Sequence, residues 1–290
     1  MSWRTVVITK RSKLDLQLGR MVVRSDDTVK ISLNEISTLI IESTSVSITT
    51  SLIAELVKRK VKVIFCDEKK NPGCELISYY GSHDTSNKVR NQISWKSNTK
   101  EAVWTEIVTE KIRKQKEVLE ILGKEESKLL SSYLKEITWN DASNREGHSA
   151  KVYFNALFGK GFTRTDDNNI NAALNYGYSI ILSAFTREIV ASGYITQLGL
   201  FHDNMFNPFN FASDLMEPFR VLVDRTVVEM ELVQFEHEEK MRLVDILNHE
   251  VRIDNKIQYV NNAIKIYCKS IFNALEEDDS SLIRFYEIEL

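Results

Sequence analysis

The chain has 290 residues and a formal net charge of −3 at pH 7, and this small acidic excess argues against a simple nucleic-acid-binding protein. Hydrophobic residues make up 43% of the chain and charged residues 27%, which is typical of an ordinary globular protein. No apolar run approaches the ~20 residues of a membrane-spanning helix, and residues 1–5 lack the layout of a secretory signal, so we expect a cytoplasmic protein with no membrane contact.

The charged residues are distributed unevenly along the chain. Residues 1–70 contain 13 Lys and Arg against 8 Asp and Glu, a net charge of +5, whereas residues 201–290 contain 9 against 18, a net charge of −9. A protein with an acidic total can still bind DNA if its basic residues lie on one face. Clustered carboxylates can also hold a divalent cation, so the acidic part does not exclude DNA chemistry.

The first 80 residues predict mainly β-strands, because short runs rich in β-branched residues alternate with turn-forming residues. The candidate strands are residues 5–9, 20–24, 29–33, 38–41, 61–65 and, as a further possibility, 76–80. One helix interrupts them. Ile48, Leu52 and Leu56 recur at helical spacing, and Ser47 is the predicted N-cap of that helix.

The character of the sequence changes after Gly81. Residues 82–87 are polar and predict a linker, and helical patterns dominate from there to about residue 275. The longest apolar-rich helix is predicted from Asn168 to Ser192, with Gly193 at its C-terminal end. The chain therefore predicts an α+β fold, with a small β-rich domain over residues 1–82 and a larger all-helical domain over residues 83–290. This architecture alone specifies no function.

Three segments of the predicted helical domain carry residues suited to chemistry. They are residues 144–154, residues 199–204, and residues 213–220 with Asp224 following. In the third segment, Asp214 and Glu217 are three residues apart, so on a helix their carboxylates would share a face. Two such carboxylates either begin a helix, whose dipole favours acidic residues there, or hold a cation. The spacing leaves both interpretations open.

His202 and Glu146 are the other candidates for binding a metal ion. His202 follows a Gly-containing turn in a predicted loop, but a lone His is more often structural than a ligand. His148 is two residues from Glu146, which on a helix directs it to another side. Gly147 costs ~1 kcal/mol within a helix relative to Ala, and close approach of a ligand or another backbone is one reason for a glycine there. The alternative is a helix start capped by Asn144.

Together these segments closely resemble the CRISPR-associated DNA integrase family. The motifs that carry the resemblance are Glu146-Gly147 followed by Tyr153-Phe154, then Gly199-x-x-His202, then Asp214-Leu215-x-Glu217-Pro218-Phe219-Arg220, and finally Asp224. Three features are similar to the type II branch of the family. They are the length, the order of strands before helices, and the sequence Arg145-Glu146-Gly147-His148-x-Ala150-Lys151-x-Tyr153-Phe154. The resemblance covers essentially the whole chain.

The resemblance implies a divalent metal ion, Mg²⁺ or Mn²⁺, held by Glu146, His202 and Glu217. The implied reaction is DNA strand transfer, in which a 3′-hydroxyl of a captured fragment attacks a phosphodiester at the border of a CRISPR repeat. Carboxylates and an imidazole suit these metals, and such chemistry needs no covalent protein intermediate. Two alternatives stay open, namely a metal-dependent nuclease that only hydrolyses DNA and a non-enzymatic DNA-binding scaffold.

Further residues are expected to support the ligands or to bind DNA. Asp214 is predicted to support the metal ligands, and His148 is predicted either to support them or to face DNA. The predicted DNA-binding residues are Arg220, Lys151, Arg145, Lys58, Arg59 and Lys60, and a basic cluster of Lys111, Arg113, Lys114 and Lys116 suggests where the duplex lies. A solvated surface position is the alternative for most of these bases.

The expected partners follow from the reaction. Double-stranded DNA enters as the captured fragment and as the CRISPR repeat, and insertion of both fragment ends requires two active sites. We therefore expect a homodimer joined through residues within 1–80, where sheet edges can pair or be covered. The resemblance implies that two such dimers are bridged by a small second integration protein, with other CRISPR adaptation proteins as further possible partners.

Overall fold

The computed structural model describes residues 4–78 and 82–288. The chain divides into two compact units, the first made of residues 1–85 with 190–193, and the second of residues 86–189 with 194–290. Strands dominate the first unit and helices the second. The predicted α+β fold, in which a β-rich part precedes a helical part, is confirmed.

The first unit contains two four-stranded sheets. Its strands are β1 (Arg4–Ile8), β2 (Ser12–Gln17), β3 (Arg20–Arg24), β4 (Thr28–Ser32), β5 (Ile36–Ile41), β6 (Val46–Ile48), β7 (Lys62–Cys66) and β8 (Pro72–Leu76). One sheet has the order β1-β5-β7-β8, in which β1, β5 and β7 are parallel and β8 is antiparallel to β7. The other has the order β4-β3-β2-β6, in which β6 runs parallel to β2.

A single apolar core holds these sheets and helix α1 (Thr50–Lys58) together. All six residues of β5 are buried, because β5 is an inner strand between β1 and β7. Leu52 and Leu56 of α1 and Leu14 of β2 are fully buried in the same cluster. The apolar spacing that predicted α1 is therefore the face that packs on the core.

The structure corrects several expectations in this unit. Strand β2 was not predicted because Lys13 and Asp15 interrupt its apolar residues, although Asp15 forms a 2.8 Å ion pair with Arg24 on β3. Ser47 is not the N-cap of α1, since it lies in β6 and Thr49 occupies the cap position. The strand near residue 76 ends at Leu76 instead of beginning there, and residues 79–80 of that prediction lie outside the described residues.

The second unit is built mainly from helices. They are α2 (Thr85–Ser94), α3 (Ser97–Ile121), α4 (Ser127–Glu136), α5 (Arg145–Phe158), α6 (Asn169–Ala191), α7 (Asn210–Leu215), α8 (Arg220–Glu229), α9 (His237–Asp245) and α10 (Val260–Glu277). The predicted linker at residues 82–87 is wrong in its second half, because α2 begins at Thr85. Short 3-10 turns cover Trp139–Asp141, Glu217–Phe219, Ile246–Asn248 and Ser280–Leu282.

A small sheet of strands β9 (Glu250–Ile253), β10 (Lys256–Tyr259) and β11 (Glu287–Ile288) interrupts the helices, and it was not predicted. Its hairpin turn contains Asp254 and Asn255, both with positive φ, which is a turn signal visible in the sequence. The long helix α6 is confirmed within one residue at each end, and Gly193 follows it with φ of 90°. Within the described residues, no helix is both long and apolar enough to cross a membrane.

Candidate metal and DNA site

Glu146 lies in the first turn of α5, and the start of this helix is fixed by Asp141. The two carboxylate oxygens of Asp141 accept the backbone N–H groups of Arg145 and Glu146 at 2.8 and 3.0 Å. Asn144 stands at the N-cap position in a left-handed conformation, but its side chain makes no capping hydrogen bond to the described part of the chain. A Cβ at Gly147 would lie 2.9 Å from the Asn144 side-chain oxygen. The glycine therefore makes room for Asn144, and Asp141 was missed because its carboxylate acts from outside the helix.

His202 lies in a loop that the buried carboxylate of Asp214 holds from inside. Asp214 is fully buried at the end of α7 and accepts the backbone N–H groups of Leu200, Phe201 and His202 at 2.6, 3.2 and 3.1 Å. A Cβ at Gly199 would clash with the His202 carbonyl oxygen and with the Asp214 carboxylate. The spacing Gly199-x-x-His202 thus reflects a tight loop folded around one carboxylate.

The imidazole of His202 is oriented by Asp214 and by an aromatic stack. Its Nδ1 atom lies against the same Asp214 carboxylate, and this hydrogen bond raises the pKa of His202 although partial burial opposes the charge. Phe201 stacks on Trp104 of α3 at a ring-centroid distance of 4.6 Å. The rings of His202 and Trp104 are arranged edge to face, with their centroids 5.8 Å apart. With Nδ1 engaged, Nε2 is the ring nitrogen left to bind a ligand.

Glu217 lies in the 3-10 turn that follows α7, so it does not share one regular helix with Asp214 as expected. Its side chain is 5% exposed, and its Oε1 atom accepts a 3.0 Å hydrogen bond from Nε of Arg220. Burial raises the pKa of Glu217, but the charges of Arg220 and Lys111 outweigh it and hold the pKa at about 2. Glu217 is therefore ionised at neutral pH inside the protein.

Lys111 of α3 joins the two carboxylates that the sequence singled out. Its ammonium contacts Glu146 and lies 2.5 Å from Oε2 of Glu217, and its side chain is 7% exposed. Burial lowers the pKa of Lys111, but the carboxylates of Glu217 and Glu146 raise it further than burial lowers it. One buried position between α5 and the turn after α7 is thus already occupied by a cation.

The three predicted metal ligands are brought near one another without converging on one point. Glu146 and Glu217 both contact Lys111. His202 instead hydrogen-bonds to Asp214, and the positive charge of His202 contributes to lowering the pKa of Glu217. Among the described residues, no three His, Cys, Asp or Glu side chains are placed to hold a metal ion together. The donor types still fit a divalent cation, because two carboxylates share a cation position and the His202 imidazole interacts electrostatically with one of them, Glu217.

Of the remaining predicted residues of α5, two are exposed to solvent and Arg145 is partly buried. His148 is exposed, its Nδ1 atom is 3.3 Å from Arg145, and its ring packs near Tyr133. Arg145 forms a 2.8 Å ion pair with Glu136, and Lys151 is exposed. Side chains at these positions are open to contact with other molecules, and the roles predicted for His148, Arg145 and Lys151 stay predictions.

The two basic clusters have different environments. Lys111 and Lys114 are buried, so the expectation that they belong to a DNA-facing cluster is wrong for both. Arg113 pairs with Glu110, and Lys116 lies 2.9 Å from Glu120. In the first unit, Lys58, Arg59 and Lys60 are exposed at the end of α1, where Arg59 forms a 2.7 Å ion pair with Glu55.

A cavity of about 220 Å³ opens beside these carboxylates. Its walls include Lys111, Glu146, Arg164, Tyr178, Glu217 and Arg220. Asp224 of α8 forms part of its lining and accepts a hydrogen bond from the Tyr178 hydroxyl. Burial raises the pKa of Asp224 to about 7, because the hydrogen bond and the nearby arginines offset only part of that effect. Arg164 and Tyr178 were not predicted as site residues, because they lie between the motifs.

The chain is similar to known proteins in sequence. A family model described as CRISPR associated protein Cas1 matches residues 5–241. The CRISPR-associated endonuclease Cas1 of Neisseria meningitidis serogroup C (strain 8013) is 34% identical over 232 residues, covering 79% of this chain and 76% of the relative. The CRISPR-associated endonuclease Cas1 1 of Francisella tularensis subsp. novicida (strain U112) is 26% identical over 283 residues, covering 89% and 88%.

Solved structures share the fold at low sequence identity. A casposase bound to its integration product superposes with a TM-score of 0.77 at 17% identity, over 97% of this chain and 93% of that one. A chain of a Cas6-RT-Cas1–Cas2 complex gives a TM-score of 0.74 at 17% identity, over 97% of this chain and 36% of that one. At these identities, the likeness establishes the fold alone.

Proposed function

We propose, from the premise that this chain belongs to the CRISPR-associated Cas1 family, that it is a metal-dependent DNA integrase that inserts captured fragments into a CRISPR array. The resemblance seen in the motifs is confirmed at the level of the family, and membership of the type II branch stays a prediction. The matched residues include all three segments that carry the candidate ligands, because the match extends from residue 5 to residue 241.

The single observation that carries the proposal is the buried cation between Glu146 and Glu217. Two carboxylates from different elements meet one buried ammonium, and the Glu217 side chain is 5% exposed whereas that of Glu146 is 32% exposed. Uncompensated carboxylates there would repel, so this position requires a positive charge. We assign it to Mg²⁺ or Mn²⁺ in the active protein, with Glu146 and Glu217 as oxygen ligands and Nε2 of His202 as the nitrogen ligand.

The residues around this position have distinct parts in the reaction. The bound metal supplies a positive charge that polarises a phosphoryl oxygen and stabilises the attacking or leaving 3′-oxygen. Asp214 fixes the tautomer and direction of His202, and Lys111 occupies the cation position between the carboxylates while no metal is bound. Arg220, held by Glu217, presents its guanidinium to the cavity, where a phosphate can accept hydrogen bonds from it.

The bond changes balance without an intermediate on the protein. The oxygen of the fragment's 3′-hydroxyl forms a bond to the target phosphorus and loses its proton. The bond from that phosphorus to the 3′-oxygen of the target strand breaks, and this oxygen gains a proton. One phosphodiester is therefore exchanged for another, and hydrolysis differs only in having water as the attacking group.

Double-stranded DNA, as captured fragment and as repeat, is the proposed substrate, and the cytoplasm is the proposed place of action. We further propose a homodimer through the first unit, two of which are bridged by a small second integration protein. A structural relative of this chain belongs to a Cas6-RT-Cas1–Cas2 complex, which supports a second protein as partner. In the first unit, edge strand β4 leaves Val29 51% exposed, which suits pairing with another chain.

A strand-transfer reaction tests the proposal. The protein is incubated with Mn²⁺, a duplex fragment bearing free 3′-hydroxyl ends, and a plasmid carrying a CRISPR repeat, with the second integration protein added in parallel. We expect joined products from the wild type and loss of at least ~100-fold for Glu146→Gln, His202→Ala and Glu217→Gln, since each removes a ligand. Glu229→Gln changes an exposed glutamate on α8 and is the matched control.

The alternatives are separate outcomes of this experiment. Cleavage of DNA without joining would identify a nuclease instead of an integrase. An absence of both reactions with all partners present would leave a DNA-binding scaffold. Joining by the ligand variants at the wild-type rate would overturn the assigned metal site.

A further inference from the structure

The cavity beside the carboxylates has a second wall that the proposed metal site does not use. Arg164 lies in the connection between α5 and α6, and its guanidinium is 5.4 Å from the centroid of the Tyr178 ring. Arg220 lies over the same ring at 4.8 Å. Two guanidiniums from separate elements therefore contact one aromatic ring, and both line the cavity that holds Glu146 and Glu217. Such stacking fixes the plane of a guanidinium without consuming its N–H groups.

The groups that hold Arg164 are neutral. Its Nη1 atom donates to the Asn171 side-chain oxygen, and its Nη2 atom donates to the Asn175 side-chain oxygen at 2.7 Å. Asn171 is itself buried, and its amide donates to the backbone oxygens of Thr163 and Asp166 at 2.8 and 2.9 Å. Amide oxygens orient a guanidinium but leave its charge in place, whereas a carboxylate would neutralise it. Arg164 is thus positioned on the cavity wall with its charge retained.

The charges along the cavity favour an anionic ligand once a metal is bound. Lys111, Arg164 and Arg220 line it together with the carboxylates of Glu146, Glu217 and Asp224. These charges balance when Asp224 is ionised and leave one positive charge when it is protonated, so a divalent metal ion gives the lining a net positive charge in either state. Asp224 is engaged by Tyr178, and Glu217 by Arg220. Within the described residues, this leaves Arg164 as the guanidinium on this wall with no carboxylate among its hydrogen-bond partners. A guanidinium so placed matches the charge and geometry of a phosphate.

We infer that Arg164 is a DNA-binding residue of this site and that its guanidinium binds a backbone phosphate adjacent to the phosphodiester that reacts. This inference rests on the proposed function, because it takes the carboxylates of the cavity as the reacting centre. Tyr178 and Asn175 hold the guanidinium in place, and Arg220 remains beside Glu217. The contact is to the backbone, so it holds DNA of any sequence.

A methylphosphonate scan tests the inference. Binding of the repeat duplex is measured for wild type, Arg164→Gln, Arg164→Lys and the control Arg225→Gln, with one phosphate at a time replaced by an uncharged methylphosphonate. Arg225 is a matched control because it is an arginine of α8 paired with Glu229 at 2.6 Å, outside the cavity. Thermal unfolding of each variant is measured in parallel.

We expect one methylphosphonate next to the reacting phosphodiester to weaken wild-type binding by about 10-fold and to have almost no effect in Arg164→Gln. Loss of one phosphate contact should also reduce the slope of log affinity against log salt by about 1 in Arg164→Gln, while Arg164→Lys and Arg225→Gln keep it. If Arg164 only stabilised its loop, every methylphosphonate would weaken binding equally in wild type and in Arg164→Gln.

Two results would overturn the inference. One is an Arg164→Gln protein with the salt slope and methylphosphonate profile of wild type. The other is an Arg164→Gln protein with a lowered melting temperature and uniformly weaker binding that couples to no phosphate. The proposed function is tested separately by strand transfer in Glu146→Gln and Glu217→Gln, so the two can fail independently.

Discussion

Two sides of the candidate site are built on different physical principles. The histidine side, made of Gly199, His202 and Asp214, is held by hydrogen bonds from three backbone N–H groups to one buried carboxylate. The carboxylate side, made of Lys111, Glu146 and Glu217, is held by charges around one ammonium. We expect the first side to keep its geometry when a ligand binds, because its hydrogen bonds are internal to the protein. The second needs a cation, which Lys111 supplies here and which we propose a metal ion replaces, so metal binding is expected to change the second side alone.

Lys111→Met should have the largest effect on the metal-free protein. It takes the shared ammonium away from the partly exposed Glu146 and leaves the buried Glu217 with Arg220 alone. Breaking a buried pair costs about 3–5 kcal/mol, and the remaining Arg220 contact reduces that cost. Mn²⁺ should restore much of this loss, so the metal-induced rise in melting temperature should be greater for Lys111→Met than for wild type. Lys116→Met on the same helix, which removes a partly exposed lysine, is the control. Equal metal-induced shifts in the two variants would show that Lys111 does not compete with the metal.

Asp214→Ala should be nearly as damaging, and metal should not rescue it. The variant leaves backbone N–H groups of the His202 loop without their acceptor, and each buried unsatisfied group costs about 1–3 kcal/mol. We expect a loss of about 2–4 kcal/mol in the free energy of unfolding, measured with urea. Asp214→Asn keeps one acceptor oxygen and should reduce strand transfer by only ~10–100-fold. Asp245→Ala, at an exposed aspartate, is the control, and a loss from it equal to that of Asp214→Ala would contradict the account.

Asp224, a second buried aspartate beside the carboxylate side of the site, should make stability depend on pH. The folded pKa of Asp224, about 7, is above its ordinary value of 3.8. The folded protein therefore holds the Asp224 proton more tightly than the unfolded chain does. The stabilisation that results is complete below pH 3.8 and is lost as pH rises towards 7. Asp224→Asn should flatten this dependence and so gain roughly 1 kcal/mol relative to wild type between about pH 6 and pH 7. Parallel stability curves for the two proteins over that interval would show that Asp224 does not titrate there.

The local parts of this structure were predictable from the sequence, whereas the contacts that complete the site were not. Helix α6 and strands such as β3 follow from patterns within a short segment, and they were predicted within a residue. Lys111 occupies the apolar stripe of α3, seven residues after Trp104 and three after Val108, but its charge suggested a surface position. Burial of that lysine depends on carboxylates more than 30 residues away, and no local pattern reports them.

The same limit applies to the candidate ligands. The sequence identified Glu146, His202 and Glu217 through family motifs, yet it gave the wrong local geometry for Asp214 and Glu217. An unbroken helix was expected to place their carboxylates on one face. In the structure α7 ends at Leu215 and a 3-10 turn begins at Glu217. The turn separates the two carboxylates, so that Asp214 holds the His202 loop and Glu217 faces Lys111 and Arg220.

On the proposed assignment, one divalent ion replaces the Lys111 ammonium between Glu146 and Glu217 and also binds His202. The most direct measurement is a crystal structure of the protein soaked with Mn²⁺, with the ion located by its anomalous scattering. We predict one Mn²⁺ with oxygens of Glu146 and Glu217 and Nε2 of His202 at ~2.0–2.3 Å, and the Lys111 ammonium moved away from it. Lys111 still seated between the two carboxylates, with Mn²⁺ elsewhere or absent at saturating concentration, would contradict the account.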